Sequence, residues 1–264
     1  MRSGAVDRVL GISKRYSTLQ RRFAHSSNPA FECAPRVLLL PFGRESYLPA
    51  LVERWRGRAV PMDETTDRIV YELEAASELV TLVYTGMGAP AAANGLEMIA
   101  ANGGRVVVLF GACGGVVPEV AVGDVIVATG AVRGEGTSRY YAAESVPARC
   151  HPAVTESLAR SALATGHRSV HRGRVYTTDA GYRQGSEIYD GSHGELLGVE
   201  CECSAAAIVA GELGLELGAI FFVTDNVTVA ETRDRAYRGL ADRRVRAGFE
   251  AASDAAIAAL GDWA

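Results

Sequence analysis

The chain has 264 residues, 48% of them apolar, and a formal net charge of -4. That length suits one large domain or two small ones with an ordinary core. No apolar run approaches the roughly 18 residues of a membrane span, the N-terminus lacks the apolar centre of a secretory signal, and a mildly acidic balance argues against general nucleic-acid binding, so a cytoplasmic protein is expected.

Residues 1–35 mix basic, polar and turn residues and read as an N-terminal extension; Lys14 is the only lysine among 27 basic residues, so arginine is simply the cation used throughout. The domain proper is expected over 36–264. An apolar run at 37–40 fits a buried strand, Pro41-Phe42-Gly43-Arg44-Glu45 the turn after it, and 46–55 a helix with Tyr47, Leu51 and Trp55 on one side. Strands are predicted at 68–73 and 79–84. The second runs into Thr85-Gly86-Met87-Gly88-Ala89-Pro90, where two glycines permit close backbone approach to a ligand and Pro90 suits the first turn of a helix reaching about 101.

A strand at 105–110 is followed by Gly111-Ala112-Cys113-Gly114-Gly115, read as a glycine-rich loop with neither P-loop spacing nor GxGxxG. Further strands are predicted at 125–132, 170–178 and 219–224, and helices at 152–165, 204–213 and 241–260. Strands and helices alternate without a repeat or internal linker, which predicts one α/β domain. Cys33, Cys113, Cys150, Cys201 and Cys203 contain no Cys-x-x-Cys and the histidines are scattered, so neither a disulfide framework nor a metal site is expected.

The stretch Gly198-Val199-Glu200-Cys201-Glu202-Cys203-Ser204 puts two carboxylates one residue apart, where an apolar segment gives way to an alanine-rich helix. If it is a strand, its period of two sends Glu200 and Glu202 to one face and Val199, Cys201 and Cys203 to the other. Two like charges in one small region are costly unless cations or hydroxyl donors meet them, which marks a candidate site.

Taken in order, these features resemble the nucleoside phosphorylase-I superfamily, which includes purine nucleoside phosphorylases, uridine phosphorylases and the methylthioadenosine/adenosylhomocysteine nucleosidases. The resemblance covers about residues 36–260. It rests on Thr85-Gly86-Met87-Gly88-Ala89-Pro90, on Gly111-Ala112-Cys113-Gly114-Gly115 with Val122-Gly123-Asp124-Val125, on Val199-Glu200-Cys201-Glu202 in place of Val-Glu-Met-Glu, and on Thr224-Asp225-Asn226 in place of Ser-Asp. It implies a single-domain three-layer α/β/α fold with a central mixed, partly barrel-like sheet flanked by helices. It also implies a cofactor-free enzyme that cleaves the N-glycosidic bond of a purine-type nucleoside and assembles as a homodimer or homohexamer.

Carried over residue by residue, the resemblance puts Glu202 on the ribose hydroxyls with Glu200 supporting it and Cys201 between them. Met87 lies against the ribose, Tyr176 stacks on the base, and Gly111 and Ala112 belong to the central glycine loop. Asp225 is the acid that protonates the leaving base, which requires its pKa to be raised by burial. Arg238 assists it, and Arg68 reaches a neighbouring subunit's phosphate. Arg133 and Glu135 read as braces of a loop.

The departures bear on the reaction. Phosphorylases of the family have Gly-Asp-Pro-x-Arg after the first strand, an arginine two residues before the central glycine and a hydroxyl residue after it; here the positions hold Pro41-Phe42-Gly43-Arg44-Glu45, Leu109 and Ala112. Each lost donor costs about 1.5–3 kcal/mol of anion binding, although Arg44 offers compensation. Glu45 falls where the nucleosidases place the glutamate that activates water, so hydrolysis is expected ahead of phosphorolysis. The partners are therefore a nucleoside plus water or inorganic phosphate, with no nucleic acid or membrane. The uracil-side glutamine and arginine appear only as a shifted Gln184-Gly185-Ser186-Glu187-Ile188, which favours a purine or modified purine. A non-catalytic nucleoside-binding protein is the alternative from another class.

Overall fold

The computed structural model describes residues 32–62, 69–75, 78–226, 228–229 and 239–263. Residues 1–31 of the expected extension, and Arg68 and Arg238, lie outside the described residues.

Near-continuous runs of Val, Leu, Ile and Phe form β1 (Arg36–Leu40), β5 (Val106–Gly115) and β10 (Glu216–Asn226), buried on both faces as central parallel strands must be. β5 pairs in parallel with β1 on one side and with β10 on the other. β6 (Val125–Gly134), β8 (Val170–Thr178) and β9 (Gly198–Glu200) complete a closed ring with β5 and β10, in the order β10-β6-β8-β9-β5. From β5 the sheet continues outward through β1, β4 (Glu78–Tyr84), β3 (Ile69–Ala75) and β2 (Arg58–Val60), while β7 (Ala148–Arg149) pairs with β6. The mixed, partly barrel-like sheet expected from the sequence is present.

Among the described residues five helices cover it: α1 (Tyr47–Arg54), α2 (Ala89–Ala101), α3 (Pro152–Ala164), α4 (Cys203–Leu213) and α5 (Arg243–Gly261). Strand alternation divides the core between two faces. Val37, Leu39, Val107, Leu109, Phe221 and Val223 join α2 and α4, whereas Leu38, Leu40, Val108, Phe110 and Phe222 join α1, α3 and α5. Three layers result. Among the described residues no helix is long and apolar enough to cross a membrane.

Two differences from the expected elements shape the site. Gly111 to Gly115 is not a loop: β5 runs through it, because β10 passes too close for side chains there. A Cβ on Gly111 would meet the Phe221 ring at 2.8 Å and one on Gly115 would meet Asn226 at 2.7 Å. The turn after β1 is pinned by aromatic packing, with the Phe42 ring centroid 4.9 Å from Tyr47 and 5.7 Å from Phe222. Gly43, at φ +71, turns its carbonyl onto the amides of Ser46, Tyr47 and Leu48, which starts α1. Arg44 and Glu45 are left exposed on that turn.

Candidate active site

The carboxylate pair is built by a turn rather than by strand alternation. β9 ends at Glu200, and Glu202 is the N-cap residue of α4. Glu200 bends back over the helix start: its Oε2 accepts the Glu202 and Cys203 amides, both at 2.7 Å, and its Oε1 accepts the Thr177 hydroxyl. It thereby satisfies amides that a helix N-terminus leaves without partners and sits at the positive end of its dipole. Glu202 turns the other way, across to α2, and accepts the Gly88 amide at 2.6 Å. The expected shared strand face is corrected accordingly.

Both carboxylates are 5% exposed, and among the described residues neither takes part in an ion pair. Burial pushes the Glu200 carboxyl upward against the lowering effect of the Thr177 hydroxyl and the two amides. Burial, and then the Glu200 charge, push Glu202 upward against the Gly88 and Cys201 amides. The difference lies in hydrogen bonding. Glu200 is saturated by three donors and acts as a brace, whereas the Gly88 amide supplies the one hydrogen bond of ordinary length to Glu202 among the described residues. Glu202 is a buried acceptor with spare lone pairs beside a glycine-lined turn.

The second acid is delivered by a β-bulge. Between Val223 and Asp225 the β10–β5 register shifts, so that Asp225 comes opposite Gly114, and Gly114 in turn opposes Val199 on β9. Bulges re-aim side chains in this way. Asp225 Oδ2 and Val199 Cγ1 each lie 3.4 Å from where a Cβ on Gly114 would stand. The bare Gly114 backbone is thus a shallow floor between a carboxylate and a valine. The Thr224 hydroxyl lies 2.8 Å from Asp225 Oδ1 and 3.2 Å from the Cys113 carbonyl, and so fixes the other carboxylate oxygen. With strands about 4.8 Å apart, Asp225 is about 10 Å from the β9 backbone that leads to Glu202. That span suits a ribose and its base.

Contrary to expectation, Asp225 is exposed rather than buried. Tyr176, expected to stack on the base, is 8% exposed in an apolar cluster with Val116, Ile188, Leu196 and Val199, against the His193 ring. Met87 is 72% exposed beside Gly88, so it is no core filler. Cys201 is half-buried between the two glutamates, its thiol pushed up to about 12 by burial and then by the Glu202 and Glu200 charges. Gly111 lies beneath Phe221, Ala112 is half-buried, and Leu109 is fully buried in the α2/α4 core.

Arg133 braces a loop, as expected, donating to the Ala142, Ala143 and Val146 carbonyls. Sequence reasoning missed Gly88 as a backbone donor, Thr177, Val199 and Thr224. Of these, the alternation of β8 gives Thr177 the opposite face from Tyr176, and Thr224 adjoins the candidate acid, so both had a local signal.

Residues 36–258 match the family model of the Phosphorylase superfamily. Among curated proteins, a guanosine phosphorylase of Halorubrum lacusprofundi is 32% identical over 156 residues, 58% of this chain and 64% of that protein. A uridine phosphorylase of Treponema pallidum is 32% identical over 178 residues, 63% of this chain and 66% of that protein. The chain therefore spans slightly under two thirds of the length of either relative. Among solved structures, a uridine phosphorylase from Vibrio fischeri superposes with a TM-score of 0.75 at 23% identity, covering 88% of this chain and 93% of that one. A purine nucleoside phosphorylase from Toxoplasma gondii in complex with immucillin-H gives 0.76 at 19% identity, covering 87% and 91%. These two share the fold.

Proposed function

The chain belongs to the Phosphorylase superfamily, and from that premise we propose that it cleaves the N-glycosidic bond of a purine-type nucleoside with inorganic phosphate as acceptor, residues 36–264 forming the catalytic unit. The observation that carries this is Glu202, a buried carboxylate that among the described residues holds the Gly88 amide as its one hydrogen bond of ordinary length and is therefore able to take two sugar hydroxyls. Breaking the bond builds positive charge on the sugar, so a carboxylate gripping the ring hydroxyls is stronger in the transition state than before it. The leaving base gathers negative charge about one ring-width away, where Asp225 faces the Gly114 floor and can supply a proton to a purine nitrogen.

Support for a purine comes from Asp225 and from Ile188, whose side chain is buried in the apolar cluster near where uracil recognition needs an arginine. Support for phosphate comes from the two curated relatives, both named phosphorylases, and from the exposed Arg44 on the first turn. Hydrolysis, with Glu45 activating water, is the second reading; it is favoured by the apolar Leu109 and the hydroxyl-free Ala112. Purified protein incubated with guanosine, inosine, adenosine and uridine, with and without phosphate, decides between them. Phosphate-dependent base release with ribose 1-phosphate as co-product is expected. Free ribose formed without phosphate transfers the assignment to hydrolysis, and thermal stabilisation by a nucleoside with no base release transfers it to a binding protein.

A further inference from the structure

β9 has β5 on one flank and β8 on the other. Asp225 is reached across the first flank, by way of Gly114. Across the second, Thr177 stands opposite Glu200, and Asp179 follows two residues beyond it. An open cavity of about 440 Å³ lies there, lined by Pro90 of α2, by Thr137, Tyr140 and Tyr141 beyond the end of β6, and by Asp179. Pro90 is two residues from Gly88, whose amide holds Glu202, so the cavity and the sugar carboxylate share the start of α2. The Asp179 charge also bears on the Cys201 thiol between the two glutamates, after burial and the Glu202 and Glu200 charges.

A ribose carries its 2′ and 3′ hydroxyls on one edge, with C1′ and the base at one end of that edge and C4′ and C5′ at the other. A sugar held on Glu202 by those hydroxyls, with its base toward Asp225, therefore sends C5′ toward β8 and the cavity. The lining decides what C5′ can carry. Among the described residues Asp179 is the one charged group on it. Its Oδ2 accepts the Gly136 amide at 2.8 Å, which fixes the carboxylate, and its Oδ1 has no partner among the described residues. Arg133 and Arg139, on either side of Thr137, are engaged elsewhere: Arg133 with Ser138 Oγ and three backbone carbonyls, Arg139 with Glu144 at 2.8 Å. Tyr140, 91% exposed, and Tyr141 add two aromatic rings. A fixed carboxylate with a free oxygen beside aromatic rings is complementary to a cation.

We propose that this cavity receives the 5′ substituent of the nucleoside, and that Asp179 selects a substituent ending in an ammonium group over a neutral one. The inference rests on the reading of Glu202 as the sugar-binding carboxylate.

The test uses the 5′-amino-5′-deoxy and 5′-deoxy forms of whichever nucleoside the protein cleaves, which differ by an ammonium in place of a methyl group. The quantity read is KM at pH 7, where an alkylamine is protonated, since the inductive pull of an ammonium acts on kcat. In wild type at low salt KM should be about tenfold lower for the ammonium substrate, an exposed ion pair and an exposed cation–π contact each contributing modestly. Asp179→Asn keeps an oxygen for the Gly136 amide and removes the charge, and should compress the preference to about threefold. Salt at about 0.5 M should compress it in wild type as well. Equal KM values in wild type, or a preference that Asp179→Asn leaves whole, overturns the inference. If Asp179→Asn does not fold, salt decides alone, and a preference unmoved at about 0.5 M overturns it. Wild-type protein that releases no base from guanosine, inosine, adenosine or uridine defeats the functional assignment and the inference with it, which distinguishes the two failures.

Discussion

Replacing Glu202 by glutamine separates the stability of the carboxylate pair from its chemistry. The side chain keeps its shape and its Oε1 can still accept from Gly88, but the charge is gone. In the folded chain burial, and then the neighbouring Glu200 charge, push the Glu202 carboxyl from its ordinary 4.5 up to about 8. The fold therefore favours the protonated form: its stabilising contribution is fully present below the ordinary value and is lost as pH rises through about 8. A shift of that size is worth on the order of 3 to 5 kcal/mol across the window, and we take about 3 because Glu200 shares the titration. For a domain of this size that is roughly 6–12 °C in melting temperature. Glu202→Gln should therefore melt within about 2 °C of wild type at pH 5 and well above it at pH 9. Its kcat/KM for a nucleoside should nevertheless fall about 10- to 150-fold, the loss of a charge-assisted hydrogen bond. Differential scanning calorimetry from pH 5 to 9 is the assay, and parallel melting curves for the two proteins would refute the reasoning.

Gly114→Ala adds a methyl at 3.4 Å from both Asp225 Oδ2 and Val199 Cγ1; the strand tolerates it, but the floor rises, so KM should increase at least about tenfold with little change in melting temperature. Asp225→Asn should lower kcat for a purine nucleoside by about 10²–10⁴ and leave a substrate with a pre-activated leaving group within severalfold of wild type, as steady-state kinetics on the two substrates will show. Thr177→Val removes the hydroxyl that bridges the Ser204 amide and Glu200. It should cost about 1–3 kcal/mol in urea unfolding at neutral pH, since a buried amide and a buried carboxylate each lose a partner.

What the sequence makes legible is the part carried by local pattern. The apolar runs of β1, β5 and β10 announce a parallel core, and the Gly88–Pro90 start of α2 and the Glu200–Glu202 stretch announce the proposed sugar end. The rest is hidden by long-range geometry. Glycines 111–115 look like a loop, and only the passage of β10 over Gly111 makes them strand. Glu200 becomes a helix brace because Thr177, 23 positions earlier, donates to it, and Glu135 meets Ser204 across 69 positions; neither pairing has a periodic signature. The bulge at Thr224 re-aims Asp225 into the open, against the burial that an acid role suggests. β2 and β7, three and two residues long, are too short for alternation to register.

The central claim is that Glu202 grips the sugar hydroxyls, and a substrate-deletion cycle tests it most directly. The measurement is kcat/KM for guanosine and for its 2′-deoxy and 3′-deoxy analogues, with wild-type protein and with Glu202→Gln. Wild type should prefer guanosine over at least one analogue by about ten- to a hundredfold, and the variant should compress that preference to about threefold or less, since the hydroxyl and its acceptor are one interaction. A variant that keeps the full wild-type discrimination contradicts the account.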